Sequence, residues 1–446
     1  MTAIGNATAR PGEATTTAFK SRFLARMVIV LIGGMFLDGY VLGILGPVSG
    51  RMAEDLQLTA VSQGLIAAAA LVGILFGAPL GGWAADKWGR KSIFMFDIGL
   101  FAVASGMQFF IDSPVWLIVV RLLMGLAIGA EYAVGWPLMG EFAPTHLRGR
   151  LLGAMQIAWY GGFMIAFLIG HLLSEYTEAG WHFILGTSTF VAVALFLARL
   201  GLPESPRWLW SVGRKDEARI LAYKYMADDA LDDVQHEDVR TGSFGMLFSK
   251  QHWRSTLFIS GFFFCAVTPY FAIATFADSV LNQYGLAGGL AGGVGLSAVA
   301  LAGVVLMFFL IDKVGRRVLT VPPQWVCGIV LALIGLWAGA PAIVVLILFL
   351  LFSFFNAMYT ALTGVYPSEV LPTEIRGIGT GFAVAFSRIG AGIGIFLMPV
   401  SMETLGAGPT MLIAATVAFA GAGLCQWLAP ETTGKTLTEA AAGYSH

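Results

Sequence analysis

Charged residues are scarce in this sequence. Asp, Glu, Lys and Arg together make up 12% of its 446 residues, whereas they make up about 25% of a typical soluble protein. The apolar residues, with the aromatics and cysteine, make up 57%, and the mean hydropathy is +0.78. A soluble fold of this size needs more polar surface than this composition supplies. The composition therefore indicates a protein that crosses a membrane many times.

Further absences exclude several classes of function. Only three cysteines are present, and they stand singly in apolar stretches, which predicts neither a disulfide framework nor a metal site. The 26 basic and 27 acidic residues nearly cancel, so no basic field predicts nucleic-acid binding. No nucleophile and base set or phosphate-binding loop is recognisable, since the glycine-rich run at 287–295 follows no strand. We therefore expect no cofactor and no enzyme activity.

Twelve apolar stretches are long enough to cross a bilayer, which takes about 20 residues per helix. They are numbered helices 1 to 12 and lie at 27–49, 61–84, 92–111, 115–139, 151–173, 181–201, 255–281, 287–311, 317–338, 342–367, 375–400 and 408–429. The predicted organisation is a tail at 1–26, a six-helix bundle at 27–201, a linker with short helices at 202–254, a second bundle at 255–429 and a tail at 430–446.

Lysine and arginine are distributed unevenly between alternate loops. The tails, the even-numbered loops and the linker hold nearly all of them, and the odd-numbered loops hold only Arg51. Cytoplasmic loops carry the excess of positive charge in membrane proteins, so both termini are expected in the cytoplasm. The expected location is the plasma membrane, with the bacterial inner membrane favoured, and the expected state is a monomer.

An internal repeat relates the two groups of six helices. DKWGRK at 86–91 recurs as DKVGRR at 312–317, EFAPTHLRG at 141–149 recurs as EVLPTEIRG at 369–377, and PESP at 203–206 is echoed by PETT at 430–433. The three motifs keep the same order at offsets of 226 to 228 residues, which indicates a duplication. Parallel halves of this kind place a solute site near the midplane of the membrane, between the halves.

These motifs resemble those of the major facilitator superfamily over essentially the whole chain. GGWAADKWGRK at 81–91 is similar to the loop after helix 2 in that superfamily, and RLLMGLAIG at 121–129 is similar to its helix 4 motif. PESPRWL at 203–209 and PETTGKTL at 430–437 resemble signatures of its sugar-porter-like branch. The resemblance implies an all-α fold of twelve transmembrane helices in two pseudo-symmetric bundles, and secondary active transport by alternating access.

Other segments resemble the metabolite:proton symporters, which include carriers of nicotinate and aromatic acids. These segments are LDGY at 37–40, GAEYAVG at 129–135 and SRIG at 387–390. Sugar porters carry an acidic residue just after the Gly-Tyr of helix 1, where this sequence has Val41. They also have a glutamine-rich helix 7, where this sequence reads FFFCAVTPYFAIATF. The resemblance therefore favours an organic anion over a sugar.

Ionisable residues inside the predicted helices are candidates for proton coupling. Asp38 lies in the middle of helix 1, and helix 4 carries Arg121 in its outer part and Glu131 deeper in the membrane. Inserting such a residue costs about 2.5–3.5 kcal/mol, so a functional role is the default hypothesis. We predict that Arg121 pairs with Asp38 and that a proton on Asp38 loosens the pair. The alternative is a permanent pair that only joins helices 1 and 4. Asp97 and Asp278 lie nearer the membrane surfaces and are expected to be structural.

Arg388 in helix 11 is the best indication of the substrate. Its guanidinium is always charged and matches the geometry of a carboxylate, which predicts a small organic anion such as a nicotinate- or benzoate-like acid. The alternative is that Arg388 neutralises Asp38 or Glu131. The repeat offset aligns Arg388 with Tyr160 and Glu131 with Tyr359. The other predicted substrate contacts are Gln156, Trp159, Tyr160, Tyr270, Asn356 and Tyr359.

The repeated loop motifs predict a cytoplasmic gate. Their acidic and basic residues can form crossed ion pairs when the inner side is closed, and these pairs would break as the halves move. The alternative is that the charges only set the topology and cap helices. The predicted gate residues are Asp86, Arg90, Glu141, Arg148, Asp312, Arg316, Glu369 and Arg376.

Other functions remain open at this stage. A sugar:proton symporter is the alternative in substrate, and a proton-driven efflux antiporter would use the same carboxylates with the proton moving in the opposite direction. A solute sensor that binds without transport is the alternative from another class. The expected partners of the leading hypothesis are the organic anion, the proton and the lipid bilayer.

Overall fold

The computed structural model describes residues 11–143, 145–178, 180–226, 243–286, 290–337 and 339–432. Within these ranges the secondary structure is helical and contains no strand. Among these described residues, twelve helices are long and apolar enough to cross a membrane. The prediction of an all-α membrane fold with twelve spans is confirmed.

Six spanning helices form the N-terminal half. The first begins well before its apolar run and continues beyond Gly43 as a shorter helix, Leu45–Asp55. The sixth is interrupted at Thr187 and is preceded by Trp181–Gly186. The helices are α1 (Pro11–Gly43), α2 (Ala60–Trp88), α3 (Arg90–Met107), α4 (Pro114–Phe142), α5 (Thr145–Tyr176) and α6 (Ser188–Arg199).

Six more helices form the C-terminal half, and a linker with short helices precedes them. The described part of the linker holds Pro206–Ser211 and Lys215–Tyr225, and a short helix, Ala277–Gln283, follows the seventh span. The spanning helices are α7 (Trp253–Thr275), α8 (Gly295–Val314), α9 (Arg316–Leu336), α10 (Ala342–Thr360), α11 (Thr373–Thr404) and α12 (Ala407–Leu428).

Glycines allow α2 and α4 to pack backbone against backbone. A methyl group on Gly73 would meet the carbonyl of Leu122, and one on Gly125 would meet the carbonyl of Ala70. Lipid tails are as apolar as the helices, so helices in a membrane associate through such close contacts. This pairing gives α4 a fixed position, and α4 carries Arg121 and Glu131.

The two halves contact each other at both ends of the molecule. We call the end that carries the repeated loop motifs (86–91, 141–149, 312–317 and 369–377) the motif end. There, Gly153 of α5 packs against the ring of Phe308 in α8. At the opposite end, Gly64 of α2 packs against the backbone of Phe396 in α11. Residues near the middle of the spans are therefore enclosed between the halves.

Gly125→Ala is expected to lower the stability of the protein, because its methyl group cannot fit against the backbone of α2. Overpacking of this kind costs about 1–3 kcal/mol. Gly82→Ala on α2 is the matched control, since a methyl group there lies 3.7 Å from Cβ of Ala133 and alanine favours the helix. Thermal unfolding in detergent should show a lower Tm for the first variant and no loss for the second. Equal Tm values would contradict the close contact.

Candidate functional site

A group of charged residues is buried in the N-terminal half, centred on Arg199 at the end of α6. The side chain of Arg199 has no exposure. Its Nη2 donates to both carboxylate oxygens of Glu131, at 2.8 and 2.6 Å, and its Nη1 donates to Oδ1 of Asp97 at 2.8 Å and to the carbonyl of Phe94 at 2.7 Å. Hydrogen bonds between ionised groups are the strong ones. One guanidinium thus joins α3, α4 and α6.

Asp38 of α1 lies beside these three side chains but is not bonded to them. It is 3% exposed, and it makes no hydrogen bond or ion pair within the described part of the chain. Together with Asp97, Glu131 and Arg199 it lines a cavity of about 10 Å³, which has room for about one water molecule. We call Asp38, Asp97, Glu131 and Arg199 the Arg199 cluster.

The predicted pair between Arg121 and Asp38 is not formed in this structure. Arg121 is buried in α4, and its Nε donates to the carbonyl of Ile66 in α2 at 3.0 Å. Within the described ranges no ion pair joins Arg121 to a carboxylate. The reason is distance along the helix: Arg121 precedes Glu131 by ten residues, which is about 15 Å of helix. The arginine that lies beside Asp38 is Arg199 and not Arg121, and it binds Asp97 and Glu131.

Arg199 is the member of this cluster that the sequence pattern does not single out, because it stands next to the basic linker. Asp97 is expected to be structural, and the structure shows it bound to Arg199. One signal was available, since Arg199 lies inside the apolar stretch predicted at 181–201. The sequence does not show the direction of its side chain, which extends toward Asp97 of α3 and Glu131 of α4.

Arg388 of α11 lies between the halves against aromatic rings. Its guanidinium carbon is 5.7 Å from the ring centroid of Tyr132 in α4 and 5.7 Å from that of Phe271 in α7. Its Nε and Nη1 are buried and have no hydrogen-bond partner in the described ranges. Neither Asp38 nor Glu131 forms an ion pair with it there. Arg388 is therefore a half-buried cation with two buried, unused hydrogen-bond donors.

Aromatic residues of both halves continue from Arg388. The ring of Phe271 lies 5.8 Å from that of Trp159, which lies 5.1 Å from Tyr160, which lies 5.6 Å from Tyr270. Trp159 Nε1 donates to the hydroxyl of Tyr132 at 3.1 Å. These contacts cross the interface between α5 of one half and α7 of the other. We call Arg388, Tyr132, Trp159, Tyr160, Tyr270 and Phe271 the Arg388 cluster.

The remaining predicted substrate contacts differ in their surroundings. Asn356 Nδ2 donates to the hydroxyl of Tyr359 at 2.6 Å and to the carbonyl of Ala266 at 3.3 Å, so this pair is bonded within the C-terminal half. Gln156 of α5 lies next to Gly364 of the other half. The structure thus brings Trp159, Tyr160 and Tyr270 into the Arg388 cluster, and Asn356 and Tyr359 lie in the core of α7 and α10.

At the motif end, ion pairs form inside the N-terminal half. Arg90 pairs with Glu141, and Glu141 also accepts a hydrogen bond from the hydroxyl of Ser205. Glu204 accepts the backbone N–H of Lys91 at 3.0 Å, at the first turn of α3, where the helix dipole favours a negative charge. The PESP segment thus links the loop after α2 to the end of α4.

The C-terminal half repeats this arrangement. Arg316 pairs with Glu369 at 3.0 Å, and Glu369 accepts a hydrogen bond from the hydroxyl of Thr432. Glu431 accepts the backbone N–H groups of Arg316 and Arg317 at 3.0 Å each, at the first turn of α9. The residues that correspond in sequence therefore make corresponding contacts.

These pairs differ from the predicted crossed pairs, because each joins residues of the same half. The side chain of Asp86 is exposed, and its backbone carbonyl accepts from Trp208 Nε1 at 2.8 Å. The side chains of Arg148, Asp312 and Arg376 lie outside the described residues. A described contact between a histidine and a carboxylate joins the halves at the opposite end, where His171 Nε2 of α5 is 3.0 Å from Oδ2 of Asp278.

Comparison with known proteins agrees with this architecture. The sugar (and other) transporter family model matches residues 26–444. The inner membrane metabolite transport protein YgcS of Escherichia coli K12 is 36% identical over 430 residues, covering 95% of this chain and 94% of YgcS. The niacin transporter NiaP of Acinetobacter baylyi is 26% identical over 419 residues, covering 92% of this chain and 94% of NiaP.

Among solved structures, the proton:xylose symporter XylE bound to 6-bromo-6-deoxy-D-glucose has a similar fold. Its TM-score is 0.79 at 22% identity, and the likeness covers 96% of this chain and all of that chain. The family match spans nearly the whole chain, and YgcS exceeds 30% identity over it. The chain therefore belongs to the sugar (and other) transporter family of the major facilitator superfamily, and it is a membrane transporter and not an enzyme.

Proposed function

We propose that this transporter carries a small organic anion, an aromatic or cyclic carboxylate, together with a proton. The observation that carries the proposal is Arg388, whose guanidinium lies between the halves with Nε and Nη1 buried and unused as donors in the described ranges. A buried cation without a carboxylate partner is costly, and a carboxylate ligand would supply the missing partner. The guanidinium matches the two oxygens of such a ligand better than it matches a sugar hydroxyl.

The surroundings of Arg388 support an aromatic or cyclic ligand. Tyr132 and Phe271 flank the guanidinium, and Trp159 and Tyr160 extend the aromatic surface. Rings of this kind stack on flat ligands in the preferred offset or edge-to-face arrangements. The relative NiaP is named a niacin transporter, and niacin is an aromatic carboxylic acid.

Alternating access is the proposed mechanism. The cavities lined by Asp38 and by Tyr270 have a volume of about 10 Å³ each, enough for about one water molecule. The halves must therefore separate at one end or the other before a carboxylate can reach Arg388. We propose that the motif end faces the cytoplasm with both termini, as the distribution of basic residues predicts.

Asp38 is the proposed proton carrier. It is buried in the Arg199 cluster and has no hydrogen-bond partner there, so it can take up and release a proton without breaking an ion pair. The structural relative XylE is a proton:xylose symporter. A sugar:proton symporter is the second candidate, favoured by the family match, but the α7 residues beside Arg388 are Tyr270 and Phe271 and not glutamines.

Arg388→Gln is expected to weaken carboxylate binding by about 10- to 100-fold, because hydrogen bonds to a charged group contribute about 1.5–3 kcal/mol. Arg388→Lys keeps the charge but loses the planar fork, so it should recover only part of the affinity. Binding is measured as the rise in Tm that nicotinate or benzoate causes in detergent. Stabilisation by xylose or a hexose alone, unaffected by either substitution, would favour the sugar candidate.

Asp38→Asn is expected to abolish accumulation driven by a pH gradient and to leave substrate exchange intact, since the amide cannot carry a proton. The measurement is nicotinate uptake into proteoliposomes that are acidic outside, compared with counterflow at equal pH. Accumulation by the variant at the wild-type level would exclude Asp38 as the carrier. Wild-type vesicles that expel substrate under this gradient would indicate an antiporter.

Glu141→Gln is expected to lower the turnover rate about tenfold, equivalent to ~1.4 kcal/mol, because Glu141 links Arg90 to Ser205 at the motif end. The KM for substrate should stay unchanged, since the Arg388 cluster lies elsewhere. Asp216→Asn, at an exposed side chain of the linker outside the gate motifs, is the control and should keep most of the rate. Initial uptake rates at saturating substrate distinguish the two variants, and equal rates would remove the gate hypothesis.

A further inference from the structure

The Arg199 cluster contains more negative than positive charge. Three carboxylates, on α1, α3 and α4, share one guanidinium in contact with them. Two of the three are bound by Arg199, and the third, Asp38, is not. Since uncompensated buried charge is costly, a proton on the unbound carboxylate is the change that reduces the excess without breaking a bond.

The internal repeat shows that the fold does not require charges at these positions. At the same offset, 227 or 228 residues later, Asp38 corresponds to Cys265, Asp97 to Gln324 and Glu131 to Tyr359. Cys265 and Gln324 both lie beside Gly421 of α12, so these neutral residues also occupy the core of their half. One half of the molecule packs its core with neutral side chains where the other half carries three carboxylates and an arginine.

We propose that Arg199 is a positioning residue for proton coupling. It binds Asp97 and Glu131 and so fixes the arrangement of charges around Asp38, which takes up one proton from one side of the membrane and releases it to the other. The role of Arg199 is electrostatic, and no ligand contacts it. This inference rests on the proposed proton symport and deepens it.

Charged and titratable groups face Asp38 from several helices, and each contributes to its surroundings. Asp97 faces it from α3, Glu131 and Tyr132 from α4, Arg199 from α6 and Arg388 from α11. Arg199 is the cation within the N-terminal half, and Arg388 approaches from the other half. The substrate anion at Arg388 would cancel the second cation, which favours a proton on Asp38 when substrate is bound.

The test is the pH dependence of nicotinate uptake in proteoliposomes. Arg199→Gln removes the cation, so protonation should persist to higher pH, and the pH of half-maximal uptake should rise by on the order of one unit or more. Arg199→Lys keeps the charge and should stay near the wild-type value. The double variant R199Q/E131Q removes one positive and one negative charge together, and it should reverse most of the rise.

A purely structural role for Arg199 predicts a different pattern, in which Arg199→Gln lowers the Tm without moving the pH profile. Arg121→Gln is the matched control, since Arg121 is equally buried in the same half but is bonded to a backbone carbonyl. Arg121→Gln should leave the pH dependence of nicotinate uptake unchanged. If Arg199→Gln does not fold, Glu131→Gln alone still tests the proposal, because removing one negative charge should move half-maximal uptake to lower pH.

The outcomes separate this inference from the proposed function. The positioning role is supported if Arg199→Gln raises the pH of half-maximal uptake and the double variant reverses that rise. The role is overturned if this pH is unchanged in Arg199→Gln, if its rise persists in the double variant, or if Arg121→Gln raises it equally. A failure of proton symport itself appears in the wild type, which would then not accumulate nicotinate under a pH gradient, and that result overturns both.

Discussion

Burial of Arg199 is the constraint around which the N-terminal half is built. A guanidinium with no exposure needs its charge balanced inside the protein, and Glu131 and Asp97 balance it from two other helices, while the carbonyl of Phe94 accepts a further hydrogen bond. Removing one partner of such a buried pair costs about 3–5 kcal/mol. The positions of α3, α4 and α6 relative to one another follow from this arrangement, and α1 brings Asp38 against it.

Arg199 and Arg388 have opposite surroundings. The contrast distinguishes an arginine bound by carboxylates from the arginine of the proposed substrate site. Arg199 is bound by two carboxylates of its own half, whereas Arg388 lies at the interface of the halves against the faces of Tyr132 and Phe271. The two carboxylates balance the charge of Arg199, so it attracts an anionic ligand less strongly than Arg388 does. A cation held by rings keeps donors for a ligand, and a site between the halves is reached when they move apart.

The duplication is preserved at the motif end and has diverged in the core. Glu141 with Ser205 and Glu369 with Thr432 make the same contacts in the two halves. In the core, the carboxylates of one half correspond to neutral side chains in the other. The carboxylates of the proposed proton coupling therefore lie in one half only.

Hydropathy and repeated motifs alone predicted the twelve spans, the two halves and the superfamily, because these properties depend on runs and spacings along the chain. The structure buries Asp38 and Glu131 and brings Trp159 and Tyr160 together with Arg388, whereas Tyr359, which the repeat aligns with Glu131, lies in the core of the C-terminal half. Which cation pairs with which carboxylate depends on depth and rotation about each helix axis, and a linear pattern of apolar residues encodes neither. The tertiary structure therefore decided that Arg199 binds Glu131 and Asp97, and that the described gate pairs stay within their own halves.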